Sequence, residues 1–328
     1  MTAPGRLVPA GFTLVEALIG VAVLLTAMSI VLAALVPAFD AFVAQPEMAD
    51  MQQRVRVAVD RVGRDLIMAG AGSGHADGPL YYHFAPLRPY RVGDVRSDTA
   101  AGVHYRPDAI SVQYVPIEKE ATAREVSVGD RRVAVVTHAY YLKSTPRSGL
   151  FQLMHYDGRS TDLPMIDDVI GLRFDYMGDP RPPEIIAAPV DDGSPPRATY
   201  GPSPPRVGID NPADTWGPGE NCTFAVSGER QVSRLAPLPE TPALQPLPPA
   251  MLVDGPWCPD AAAAEPFDAD LLRIRRVLVR MRFQARGAFR GPAGSLFGVS
   301  GTASALGRYV PDQEIRFDVA PRNMNLAR

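Results

Sequence analysis

Hydrophobic and polar positions are arranged in three successive patterns along this chain, and each predicts a different element. From Ala17 to Phe39 the sequence ALIGVAVLLTAMSIVLAALVPAF carries no charge. That is about the ~20 residues a helix needs to cross the hydrocarbon of a bilayer, so the tract predicts a membrane-spanning helix. A cleaved secretory signal would have a shorter apolar core followed by small residues and a cleavage site. Here the tract runs directly into further helical sequence, and the span is expected to be retained.

The second pattern follows Pro37 and Pro46, which are expected to bend the helix. Met48, Met51, Val55, Val59, Val62 and Leu66 recur three and four positions apart, with Arg54, Arg56, Arg61 and Arg64 elsewhere around the axis. This spacing predicts an amphipathic helix whose apolar stripe needs a cover. Gly70, Gly72 and Gly74 then end it. Their GxGxG spacing follows a helix and not a strand, so it lacks the geometry of a phosphate-binding loop.

In the third pattern apolar residues alternate. Ile110, Val112 and Tyr114; Val133 to Leu142; Leu150 to Tyr156; Val169 to Tyr176; Val277, Val279, Met281 and Phe283; and Ile315, Phe317 and Val319 predict antiparallel strands with one face on the helix. Arg280, Arg282, Arg316 and Asp318 fall on the opposite, solvated faces. The expected class is α+β, a long N-terminal helix packed on an antiparallel β-sheet. Between Asp179 and Asp260 lie more than half of the 34 prolines. Segment 179–260 is therefore neither helix nor central strand, and is expected to be an excursion from one sheet.

Composition narrows the function. With 328 residues, 46% of them hydrophobic, the chain can bury a sizeable core, and its net charge of -3 provides no basic field for a nucleic acid backbone. The five histidines, His75, His83, His104, His138 and His155, have no HExxH or HxH spacing and are read as scattered, ordinary residues. Neither Ser73 nor Ser295 sits in a GxSxG elbow. The adjacent acids Asp167-Asp168 and Asp191-Asp192 read as solvated turn residues, with calcium conceivable at the second pair. No catalytic, cofactor or metal site is expected, and the chain does not read as an enzyme. Cys222 and Cys258 lack CxxC spacing. In an oxidising compartment a bridge between them would close a loop of about 37 residues, contributing roughly 3 to 4 kcal/mol. The alternative is a pair of free buried thiols.

Glu16 stands at the head of the apolar tract. As a single residue it could simply lie among lipid headgroups, but a carboxylate inside a helical bundle is costly unless paired. The full string Gly11-Phe12-Thr13-Leu14-Val15-Glu16 resembles the type IV prepilin processing motif. That resemblance implies a leader, residues 1–11, removed by prepilin peptidase on the cytoplasmic side. It implies an N-methylated Phe12 and a Glu16 that pairs with the Phe12 amine of a neighbouring subunit. The leader departs from the usual pattern in having one basic residue, Arg6.

The resemblance also implies a type IV pilin-like fold. Its parts would be a transmembrane and assembly helix at 12–39, an amphipathic continuation at 40–70 and a periplasmic β-rich domain at 71–328. Gln53 to Gly74, with Arg64-Asp65-Leu66-Ile67-Met68-Ala69-Gly70 at its centre, is similar to PilW-like minor pilins, as are Asp168 to Tyr176 and the Glu314 to Asn323 end. GspJ-like pseudopilins of type II secretion are the second choice, and a membrane-anchored extracytoplasmic binding module is the alternative of another class. The implied setting is a bacterial inner membrane crossed once, then a surface filament. The implied partners are prepilin peptidase, other minor and major pilins, an inner-membrane assembly platform and lipid.

Overall fold

A computed structural model of the chain describes residues 13–72, 85–92, 104–117, 123–128, 131–145, 150–159, 162–180, 216–239, 241–259, 265–302 and 309–324. Helix α1 (Leu14–Met68) is 55 residues long and unbroken, so the chain stays helical through both prolines expected to bend it. At 1.5 Å per residue it extends roughly 80 Å. Gly70 and Gly72 follow its end with φ of +76° and +68°. A side chain at Gly72 would place its Cβ 2.4 Å from the Val115 carbonyl oxygen, so only glycine fits there. The same turn is strapped to a strand. Gly70 N–H donates to the Gln113 carbonyl at 2.9 Å, and Val115 N–H to the Ala71 carbonyl at 2.8 Å.

The first sheet contains β1 (Leu87–Arg88), β2 (Tyr105–Tyr114), β3 (Arg124–Val128), β4 (Arg131–Ser144), β5 (Phe151–Tyr156) and β6 (Leu163–Asp167). Its order is β1-β2-β4-β5-β6, with β3 paired to the first part of β4. At Asp168 the backbone takes a φ of +60°, a left-handed conformation that Asp tolerates better than most residues, and the chain changes sheet. There follow β7 (Val169–Gly178), the hairpin β8 (Phe224–Ser227) and β9 (Arg230–Ser233), β10 (Gln245–Leu247), the short pair β11 (Trp257–Cys258) and β12 (Phe267–Asp268), β13 (Ile274–Phe283) and β14 (Gln313–Val319). The second sheet runs β10-β7-β13-β14, all antiparallel.

Alternation decides which faces are inside. In β13, Val277, Val279, Met281 and Phe283 are buried, and Val279 is flanked in register by Phe174 of β7 and Phe317 of β14. The opposite positions carry charges that pair on the outer surface: Arg280 with Asp175 at 3.7 Å, Arg276 with Asp318 at 3.6 Å and Arg316 with Glu314 at 2.6 Å. Helix α1 touches β2 of one sheet and β14 of the other, so a single core forms between the helix and both sheets. The chain is thus α+β, an N-terminal helix on antiparallel sheets, the arrangement that the likeness to type IV pilins implies.

The seam of the helix differs from the stripe read in the sequence. Met51, Val55, Val62 and Leu66 are buried as expected, but Met48 is 41% exposed and Val59 only partly covered. Their places belong to Ala44, Glu47, Ala58 and Ala69. Small residues let the helix approach the sheets, and Glu47 enters because the backbone N–H of Arg286, just beyond β13, and the Arg54 side chain donate to it.

In the proline-rich excursion, β7 and β13 are direct neighbours although the whole excursion separates them in sequence. Strand β10 pairs with β7 at the edge of the sheet, a position that tolerates Pro246. Cys222 and Cys258 are fully buried and joined in a disulfide with Cα atoms 5.1 Å apart. At the root of the excursion the buried Arg273 pairs with Asp270 at 2.7 Å. It also donates to the carbonyls of Ala236 at 2.6 Å and Asp179 at 3.2 Å, and to that of Pro180. Residues 181–215, with Asp191 and Asp192, lie outside the described residues.

Candidate assembly helix and buried polar cluster

Thr13 is the N-cap of α1, with extended backbone angles. Its hydroxyl oxygen accepts the Glu16 N–H at 3.3 Å. In return the Glu16 carboxylate accepts from the Thr13 N–H at 3.0 Å and the Thr13 O–H at 2.9 Å. This reciprocal capping box satisfies amide donors that a helix start leaves open, and the helix dipole favours the negative charge there. Glu16 therefore has a local partner in the single chain, which the reading of Glu16 as an interfacial or subunit-pairing residue did not include. The signature is visible in the sequence, a Thr followed three residues later by Glu at the start of an apolar run. Gly11 and Phe12 lie outside the described residues.

From Leu14 to Leu35 the helix is long and apolar enough to cross a membrane, and none of these 22 residues is buried. Its polar hydroxyls are satisfied within the helix: Thr26 donates to the Ala22 carbonyl and Ser29 to the Leu25 carbonyl, each at 2.8 Å. Such back-bonding is what a hydrocarbon environment requires of a serine or threonine. So large an apolar surface requires a cover, either lipid or other apolar helices.

Where the helix reaches the sheets, a charged junction fixes it. Glu47, 4% exposed, accepts the Arg286 backbone N–H at 3.0 Å and pairs with Arg54 at 3.3 Å. Arg54 also pairs with Asp50 at 3.0 Å and Asp168 at 3.5 Å, and donates to the carbonyls of Asp167 and Gln284. Arg54, placed by its spacing off the apolar stripe, is the link between α1 and the sheet-changing turn. Asp168, read as a solvated turn acid, is half-buried, and burial pushes its carboxyl pKa up.

Further along, Asp65 and Arg61 of α1 meet Tyr114 of β2, His138 and Tyr140 of β4 and His155 of β5. Tyr140 O–H donates to the Asp65 carboxylate, and Arg61 lies 3.5 Å from it. His138 Nδ1 and His155 Nε2 are 2.8 Å apart, and Tyr114 Oη is 3.3 Å from His138 Nε2. Burial, followed by the neighbouring His138 and Arg61, lowers the His155 pKa to about 4. Burial and Asp65 push the Tyr140 hydroxyl up, so it stays protonated and donates.

The two histidines read as scattered are thus adjacent. Alternation puts His138 and Tyr140 on one face of β4, and the β4/β5 register sets His155 opposite Tyr140. That register is not legible in either strand alone. Donor atoms of Asp65, His138 and His155 lie within 4.8 Å of one another, a set of the type that holds zinc or a similar ion. A metal would have to displace the histidine-histidine and tyrosine-carboxylate hydrogen bonds, and as arranged the cluster is a closed hydrogen-bonded network. His104, by contrast, is exposed, and His75 and His83 lie outside the described residues.

No protein-family model matches the chain, and no curated protein sequence does. Among solved structures it is similar to a type IV-like pilin from Thermus thermophilus, at 11% identity and a TM-score of 0.28, over 83% of this chain and 97% of that one. That superposition is too loose to add to what the chain's own helix and sheets show.

Proposed function

We propose that this chain is a type IV pilin-like subunit of the minor-pilin kind, held in a bacterial inner membrane by the first half of α1 and assembled into a filament or its priming complex. The observation that carries this reading is the division of one helix. Leu14–Leu35 is bare and apolar with Glu16 at its head, whereas the second half is seated on a β-rich domain. A membrane would cover the bare half before assembly, and the apolar helices of neighbouring subunits would cover it afterwards.

In that setting, peptidase cleavage between Gly11 and Phe12 creates a cationic amine, which becomes N-methylated. Glu16 is then the fifth residue of the mature chain. Surrounded by apolar helices its carboxylate is favourable only when paired, so it selects a neighbour whose Phe12 amine is in register. The Thr13 cap holds the carboxylate at the helix start until that partner arrives. The partners of this reading are prepilin peptidase, other minor and major pilins, the inner-membrane assembly platform and lipid, with the β-rich domain in the periplasm.

Intact-mass and N-terminal peptide measurements on protein purified from cells with active peptidase are expected to give methylated Phe12, and Gly11→Ala is expected to retain the leader. An unprocessed Met1 terminus overturns the proposal. Glu16→Ala is expected to stay membrane-inserted and cleaved yet to lose co-purification with the other pilins. Undiminished co-purification would remove Glu16 from the assembly mechanism.

A further inference from the structure

A cavity of about 540 Å³ opens beside the edge strand β1, between the end of β5 and the return of the excursion. Arg88, Arg91, Arg124, Arg159, Tyr156 and the carboxylate of Glu265 line it. Four of the lining residues are arginines and one is an acid, which is already paired with Arg124, while Arg159 donates to the Ala123 carbonyl at 3.4 Å. Arg91 is held in place by Asp162 at 2.8 Å and by the Tyr156 ring, whose centroid is 4.3 Å away. Arg124 and Arg159 are exposed at the mouth, whereas Arg88 is 3% exposed and forms the floor.

Arg88 is the informative residue. Its Nε and Nη2 atoms are buried and have no hydrogen-bond partner among the described residues, and the guanidinium lies over the Phe267 ring, 5.8 Å from its centroid. Buried N–H donors without acceptors are costly, and such donors in a folded protein call for an explanation, a bound ion among them. A planar fork of N–H donors at the base of an arginine-rich cavity matches the oxygens of a carboxylate or phosphate, which it can engage bidentately.

We propose that this cavity is a binding site for a small oxyanion-bearing molecule, its carboxylate or phosphate seated on Arg88 with Arg91 and Arg159 around it. The site lies in the β-rich domain, separate from the membrane-spanning part of α1, and it does not depend on the filament reading.

The test is calorimetric titration of the full-length, detergent-solubilised protein with citrate and, separately, with inorganic phosphate, each against sodium chloride of equal ionic strength. At least one anion is expected to bind, and which one does identifies the source of the oxyanion. Arg88→Met and Arg159→Gln are each expected to weaken binding by about tenfold or more, the equivalent of one charge-assisted hydrogen bond. Arg64→Gln, on the exposed side of α1, is expected to leave it unchanged.

Arg88→Met keeps the apolar stem and removes the unpartnered charge. It is therefore expected to raise the ligand-free melting temperature while abolishing the rise that the anion produces in the parent. If this variant does not fold, Arg159→Gln alone decides the question. No binding heat with either anion overturns the site, as does equal binding by parent and variants or equal stabilisation of all of them. Phosphate and citrate stabilise proteins generally through exclusion from the surface, and that effect would not distinguish the variants.

Discussion

Leu25 and Leu66 lie on the same unbroken helix, yet the first is 63% exposed and the second fully buried. The backbone is the same in both halves and the cover differs. Over Leu14–Leu35 the described residues supply no cover, and the residues there are apolar or satisfy their hydroxyls within the helix, with Glu16 closing its own cap. Over the second half the β-rich domain supplies donors, from Tyr140 of β4 and from Arg286 beyond β13, and the buried seam admits Asp65 and Glu47. An apolar environment without partners excludes charge, whereas a folded one admits it wherever a counter-group is held in place.

The largest expected effect separates the two halves directly. Leu66→Ala removes a fully buried side chain and is expected to cost about 2 to 5 kcal/mol of stability. Leu25→Ala is expected to leave the unfolding of the β-rich domain unchanged in detergent. Near-ultraviolet circular dichroism melts of the two variants make the comparison, and equal losses would mean that the first half packs on the domain after all.

A smaller effect concerns the polar groups that the covered half tolerates. The unfolded chain protonates His155 below about 6.5, the folded one only below about 4, so folding loses stability as pH falls through that window. Asp268 acts in the opposite sense. Burial raises its pKa from 3.8 to about 6, so the folded state gains relative stability as pH falls between those values. His155→Gln removes the first contribution and leaves the second. Its melting temperature, relative to the parent, is expected to rise toward acid, and parallel pH profiles for the two proteins would contradict the burial of a neutral His155.

The smallest effect is at the bare end. Thr13→Ala opens the capping box but leaves the Glu16 carboxylate in place. If pairing with a neighbour is what Glu16 supplies, Thr13→Ala is expected to co-purify with other pilins almost as the parent does, while Glu16→Ala does not. If the two variants fail alike, the cap is the function of Glu16. The same pull-down that tests assembly reads both.

Whatever depends on neighbours within one element was legible in the sequence. The span follows from an uninterrupted apolar run, the amphipathic helix from a period near 3.6 and strands β2, β4, β5, β7, β13 and β14 from a period of 2, whereas β1, β3, β6 and β10 are too short or too polar to carry that signal. The Thr13 to Glu16 cap belongs to the same local class. Tertiary structure alone decided which polar residues go inside. Glu47 takes the seat expected for Met48 because the backbone N–H of Arg286, 239 positions away, points at it. His138 and His155 meet Asp65 because β4 and β5 pair in one register and not the next. Arg88 is buried beside Phe267 of the returning excursion, and its Nε and Nη2 have no hydrogen-bond partner among the described residues, a meeting of segments 179 positions apart. Hydropathy and period belong to a segment, whereas the free energy of a buried polar group depends on what the fold brings opposite to it, and no segment carries that information by itself.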